Sequence, residues 1–465
     1  MTGFTEEACG RGTTQGAGAP LSCPHECSLD LPLRMKFSTF LFGTPDVELT
    51  PPHGVIGCRW CGLVQCLPET GGAGVIHCQQ CDAPLEHMVG RSVDSALACA
   101  LVTLLLLLPA MLWPLMKVSL LGTINLSTIR AGLGGVWQEG WKLVAIVLGI
   151  ELVIMPLLRF SSLVSVLFMV RTGRRAVWVG PVFRFSEKID EWAMIDVFLI
   201  GCIIGYSRVA PFLPVHIGIG GYCVVGASFM TMITRATMER RAIWREIGPE
   251  ASTDEQDAIS CTSCDHIAHL SREGRKCTRC GARLWRERPF ASSRALALTM
   301  AGFIFYPIAY LYPMEIDVRA GTSHPHSIVS GIIELFQAGL WPLGIIIFVA
   351  SVAIPLFKLF AISWVLLSSY RHSTSHLRLK SRLCRVIMVI GRWSHIDVYT
   401  VAVFLPLLHL SGLLSINVAD GLPAFLAVVI LTMLATSELD PRRIWYAARQ
   451  GADPVRVGRR GVETQ

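Results

Sequence analysis

The chain is 465 residues long, with 52% hydrophobic residues and only 16% charged ones. Soluble globules carry nearer ~25% charge, so this composition excludes an ordinary water-soluble domain. The formal charge of +7 does not point to nucleic acid either, because the Lys and Arg residues cluster between apolar spans.

Residues 1–50 are rich in Gly, Thr and Pro and read as a disordered tail, without the charged-then-apolar layout of a signal peptide. Residues 51–90 contain two C-x-x-C knuckles, Cys58/Cys61 and Cys78/Cys81, sixteen residues apart. Residues 91–245 form a first membrane bundle, with spans at roughly 95–116, 143–170, 193–214 and 216–235. Residues 246–290 repeat the knuckles as Cys261/Cys264 and Cys277/Cys280, twelve residues apart. Residues 291–447 form a second bundle, with spans at roughly 295–313, 342–368, 395–414 and 417–436, and 448–465 is a basic tail. The landmarks repeat in register: Pro114 with Pro313, Trp141 with Trp341, Pro156 with Pro355, Ile195-Asp196-Val197 with Ile396-Asp397-Val398, and Trp244 with Trp445. Offsets between 199 and 203 throughout define a duplicated unit. The expected fold is thus an all-α polytopic membrane protein, a tandem repeat of a four-Cys ribbon and a four-helix bundle, with eight spans in total. Pro214-Val215-His216 and Leu414-Ser415-Ile416-Asn417 are expected as tight turns between consecutive helices, and 117–142 and 314–341 as loops.

Basic residues cluster at 171–188, at 371–392 and in the final tail, whereas 117–142 and 314–341 are poor in them. The positive-inside rule therefore places both termini and both cysteine quartets in the cytoplasm.

A two-residue spacer lets both thiolates of a knuckle face one ion, and two knuckles complete a tetrahedral site. A reducing compartment disfavours disulfides, and a ribbon this small has too little core to stand without its metal. Two closed four-Cys sites favour structural zinc, although the same ligand set also accepts iron. Gly62 and Gly281 follow a knuckle where positive φ is commonly needed. The ribbons are expected to brace one another or the bundle bases. Cys99, Cys202, Cys223 and Cys384 read as packing residues.

Within the spans, ionisable residues are few and recurrent. Arg159 follows Pro156 and Lys358 follows Pro355 at the same spacing, while Asp196 and Asp397 open the third span of each half. Charge in hydrocarbon is costly unless paired, so Arg159–Asp196 and Lys358–Asp397 are the expected ion pairs, with Thr432 as a nearby hydroxyl. Pairs of this kind either fix helix register or exchange protons. Glu151 has no acidic counterpart near Ser351.

From about 55 to 450 the chain resembles the paraquat-inducible protein A family, the PqiA/LetA integral-membrane proteins of Gram-negative bacteria. The resemblance rests on the doubled block, on Trp-Ser-His-Ile-Asp-Val at 393–398 and on Leu-Asp-Pro-Arg-Arg-Ile-Trp at 439–445. The first copy reads Thr-Met-Glu-Arg-Arg-Ala-Ile-Trp at 237–244, and His395 stands where the family more usually has Met. The resemblance implies an inner-membrane, non-enzymatic partner of periplasmic MCE-domain proteins, which carry phospholipids between membranes. It also implies that Lys358, Asp397 and Thr432 match a polar network proposed to couple protons in LetA-like proteins. No Gly-x-x-x-x-Gly-Lys-[Ser/Thr] loop is present to hold ATP phosphates. A membrane redox carrier using the four-Cys sites and a non-transporting anchor for the MCE protein are the competing readings.

Overall fold

The computed structural model describes residues 55–66, 75–87, 93–120, 123–210, 214–248, 258–319, 322–339, 341–391, 399 and 414–452. It opens on two hairpins, β1 (Val55–Gly57) with β2 (Val64–Cys66) and β3 (Val75–His77) with β4 (Pro84–His87). The first bundle follows as α1 (Val93–Leu112), β5 (Met116–Leu120), β6 (Thr123–Ser127), α2 (Ile129–Gln138) and α3 (Lys142–Arg171). It ends with α4 (Val179–Ile189), α5 (Ile195–Val209), β7 (Val215–Ile217), α6 (Ile219–Thr237) and α7 (Arg240–Ile247). After β8 (Ala258–Ser260) and β9 (Ile267–His269), the plan recurs. It runs α8 (Ala291–Leu311), β10 (Glu315–Arg319), β11 (Thr322–His326), α9 (Ile328–Gln337) and α10 (Trp341–Tyr370). It closes with α11 (Leu377–Ile390), β12 (Leu414–Val418), α12 (Gly421–Glu438) and α13 (Pro441–Ala452).

Among the described residues, five helices are long and apolar enough to cross a bilayer: α1, α3, α8, α10 and α12. They match the first, second, fifth, sixth and eighth expected spans. Helix α5 lies where the third was expected and has 15 residues. Helix α6, at the fourth, has 19 residues of lower hydropathy, its buried face carrying Ser228, Thr231 and Thr234. The seventh, 395–414, lies outside the described residues apart from Tyr399 and the start of β12.

The chain is mostly helical but not all-α. Strands β6-β5-β7 form one antiparallel sheet and β11-β10-β12 its counterpart. Val118 pairs with Asn125 on one side and Val215 on the other, and Asp317 pairs with His324 and Ile416. The expected tight turns at 214–216 and 414–417 are therefore third strands, and the expected loops contain hairpins. The physical reason is local. Val215 and Ile217, like Leu414, Ile416 and Val418, alternate with polar residues at the strand period of two, and a waiting hairpin satisfies their backbone groups. Each sheet leads into a short capped helix. Thr128 accepts from the Ala131 N–H at 3.0 Å, and Ser327 forms a reciprocal cap with Ser330.

Helix α1 packs lengthwise on α6, and α8 on α12. A Cβ at Gly220 would sit 2.4 Å from the Trp113 carbonyl oxygen, and one at Gly421 2.7 Å from that of Tyr312. These equivalent glycines let the start of each final helix pass against the chain leaving the first. Pro156 and Pro355 interrupt their helices in one way. A wide π turn, Ile150–Ile154 in α3 and Phe348–Ala353 in α10, lies immediately before Pro156 and Pro355. Each proline lacks an N–H and its ring crowds the carbonyl four residues earlier, and the widened turn absorbs both effects. In α10 the loosened carbonyls are taken up by tyrosine hydroxyls, Tyr310 to Ser351 and Tyr306 to Val352.

The two bundles share one apolar core that includes Leu148, Phe198, Val224, Tyr399 and Phe425. Beyond it the ribbons cross over. The first ribbon's cysteines pack with Ala295, Ile362, Val365, Cys384 and Trp445 of the second bundle. The second ribbon's cysteines pack with Leu97, Phe160, Leu167, Phe183 and Trp244 of the first.

Candidate functional site

Each cysteine quartet closes around a point. Sulfur pairs lie 3.6 Å apart in Cys58–Cys81, 3.5 Å in Cys61–Cys78, and 3.6 Å in both Cys261–Cys280 and Cys264–Cys277. All four sulfurs of a quartet fall within 4.8 Å of one another, and all eight residues are buried. A tetrahedral ion bound at ~2.3 Å sets its ligands ~3.8 Å apart, so the donor sets fit one metal ion each. The residue after the second cysteine of every knuckle turns left-handed: Gly62 (φ 74°), Asp82 (56°), Asp265 (57°) and Gly281 (69°). Glycine accepts that conformation freely and aspartate tolerates it. The glycines were legible in sequence, and the aspartates occupy the corresponding positions. Turn bonds such as Gly62 N–H to the Cys58 carbonyl at 2.8 Å close each loop. Mutual hydrogen bonding splits each quartet: it lowers Cys58 and Cys261 to about 7 and lowers Cys78 and Cys277 as well, while it raises Cys61, Cys81, Cys264 and Cys280.

Arginines hold the ribbons in place. Arg442, 1% exposed, donates from Nε to the Arg59 carbonyl at 3.1 Å and from Nη1 to the Ser260 carbonyl at 2.7 Å, tying the ribbons together. Its repeat partner Arg241 reaches the Gly57 carbonyl at 3.3 Å and Asp265 at 3.3 Å. Arg240 pairs with Glu187 and with Asp265, and Arg385 bonds the Cys81 carbonyl at 3.4 Å. Arg442→Ala removes two charge-assisted bonds and is expected to cost about 3 kcal/mol. Limited proteolysis should then cut both ribbons faster, and Arg442→Lys should not restore resistance, because one ammonium cannot reproduce the planar fork.

The buried charges form a different arrangement in each half. In the first, Arg159 Nη2 lies 2.5 Å from Asp190, Asp190 lies 3.1 Å from Arg235, and Arg235 lies 2.9 Å from Asp196. The expected partners Arg159 and Asp196 are thus linked through Asp190 and Arg235, two residues that sequence reading passed over. In the second half Lys358, fully buried, donates to Thr432 Oγ1 at 3.0 Å and faces the Gly391 carbonyl at 3.5 Å. Asp397, its expected partner, lies outside the described residues. The repeat offset explains the contrast. Gly391 occupies the position of Asp190, and Thr436 that of Arg235. The second copy lacks this acid and this base, and Lys358 has no carboxylate in ion-pair reach among the described residues.

The fold and these sites define a membrane protein of two repeated bundles, each associated with a four-cysteine metal-binding ribbon. The profile of the family described as "Paraquat-inducible protein A" matches residues 93–248 and 292–449, and the chain belongs to that family. It is 27% identical over 399 residues to the lipophilic envelope-spanning tunnel protein A of Escherichia coli (strain K12), covering 85% of this chain and 92% of the relative. It is 26% identical over 401 residues to the intermembrane transport protein PqiA of the same organism, covering 83% and 94%. A probable intermembrane transport protein of Haemophilus influenzae is 25% identical over 415 residues, covering 86% and 98%. No solved structure matches the chain significantly.

Proposed function

We propose that the protein is the inner-membrane component of an intermembrane lipid transport system, passing phospholipid to or from a periplasmic MCE-domain partner. The observation that carries this reading is Lys358, fully buried in a spanning helix and held by the Thr432 hydroxyl. It stands in a chain whose relatives are named for intermembrane transport and an envelope-spanning tunnel. A buried ammonium about 18 Å along the axis from the Tyr370 end of α10 is costly and is retained for use, with proton exchange its natural chemistry. In this reading Lys358, Asp397 and Thr432 form the proton-coupling site, and Arg159 and Asp196 belong to a structural ion network in the first half. Eight spans place both termini and both ribbons in the cytoplasm, and each quartet carries a structural zinc. The bundles and ribbons divide the chain at 51–90, 91–245, 246–290 and 291–447. The three-stranded sheets form the periplasmic face that meets the partner.

The test is purification from native membranes in mild detergent, with mass spectrometry of every co-eluting protein and lipid and elemental analysis of the metal. An MCE-domain protein with bound phospholipid and two zinc ions per chain is the expected result. Absence of both partners, with iron and visible absorbance in place of zinc, would shift the reading to a redox carrier.

A further inference from the structure

Glu151 departs from the internal repeat. The matching stretch of the second half, Ala350-Ser351, has no acid, and Tyr399 departs likewise, its counterpart being Phe198. The two departures meet each other. Tyr399, 1% exposed, donates from its hydroxyl to Glu151 Oε2 at 3.4 Å across the boundary between the halves. Phe198 and Tyr399 face one another there, edge to face, with ring centroids 5.9 Å apart. Glu151 is 4% exposed and stands in the π turn before Pro156, about 14 Å along the axis from the Lys142 end of α3. π turns recur at functional positions because they turn side chains out of the regular register.

A small cavity of about 20 Å³, enough for a water molecule, opens beside this carboxyl. Its walls from α1, α2 and α6 are apolar, with Leu107, Met111, Ile129 and Val224 among them. Helix α5 adds Ile195 and Phe198 to the wall, and its first turn also carries Asp196, which is held by Arg235. Among the described residues, Tyr399 is a titratable group that reaches Glu151 from the second half. Charge on a carboxyl at this depth is costly, and the phenol hydrogen bond offsets part of that cost for the ionised form.

We propose that Glu151 is a second proton-carrying site, located in the first half and joined through Tyr399 to the second. The proton comes from water in the cavity and returns to it. Tyr399 stays protonated throughout, its O–H directed at the carboxyl in both states. Because Tyr399 lies two residues beyond Asp397, the state of Glu151 bears on the segment that holds the proposed coupling site of the other half. The site is separate from the lipid role and is read without it.

The experiment is pH-step infrared difference spectroscopy on the purified full chain in lipid bilayers. A protonated-carboxyl stretch that disappears on alkaline steps is expected in wild type and absent from Glu151→Gln. In Tyr399→Phe the same band should persist at a shifted frequency, because the carboxyl has lost a hydrogen-bond donor. Side-chain carbon-13 labelling of glutamate identifies the band without any substitution, should Glu151→Gln fail to fold. Matching difference spectra for wild type and Glu151→Gln, no glutamate band in the labelled wild type, or an unmoved band in Tyr399→Phe would overturn the proposal.

Discussion

Cys261→Ser loosens the first bundle and leaves the second intact; this is the result that the crossed ribbons require. Cys261 follows the first bundle in sequence and precedes the second, so simple modularity assigns its ribbon to the bundle that comes next. The packing assigns it to the bundle already passed, with Cys261, Cys264, Cys277 and Cys280 in one core with Phe160, Leu167, Phe183 and Trp244. Serine cannot supply the fourth thiolate, and a ribbon of this size loses its shape with its metal, a loss of about 4 kcal/mol or more. Hydrogen exchange on the full chain resolves the location. Peptides covering 160–167 and 179–189 should exchange faster, while those covering 361–366 and 384–390 should not. Cys81→Ser should give the mirror image, because the first ribbon packs on Ile362, Val365 and Cys384. A strong chelator should loosen both sets. Loosening confined to 361–390 in Cys261→Ser would remove the crossed arrangement.

The duplication, the two quartets and the five long apolar helices were legible because each is written in spacing or composition: C-x-x-C knuckles, uninterrupted hydrophobic runs, prolines in register. The crossing of the ribbons was not. It is a choice of partner between surfaces that the repeat makes nearly equivalent, and it is settled by contacts between residues hundreds of positions apart, such as Arg442 on the Arg59 carbonyl. The sheets were missed for a different reason. Strands of three to five residues beside membrane helices leave too short an alternation to register against long apolar runs. In the charge sites, basic residues were found by their place after a proline, and the acid Asp190 was missed because it lies outside the helices, at the C-terminal end of α4. Aligning the two copies would have exposed it, since Asp190 falls opposite Gly391 and Arg235 opposite Thr436. Comparison within the chain carries more about function here than either copy alone.

That comparison makes Lys358→Met the most informative single substitution. Methionine nearly matches the volume of the lysine stem and removes an ammonium whose described partners are one hydroxyl and one carbonyl. Exchanging a poorly compensated buried charge for an apolar side chain is neutral or stabilising by about 1–4 kcal/mol. The purified variant should therefore melt at the wild-type temperature or above, and cellular protein level should hold. Barrier function should nonetheless fail, read as sensitivity to detergents or bile salts equal to that of a strain lacking the protein. Arg159→Met, at the equivalent position, should behave in the opposite way. It takes from Asp190 one of its two arginine partners and should cost about 3 kcal/mol, with loss of function following loss of protein. A lysine kept only for helix register predicts that Lys358→Met resembles Arg159→Met. Normal resistance in a stable Lys358→Met strain would remove Lys358 from the coupling site, and with it the asymmetry of roles between the two halves.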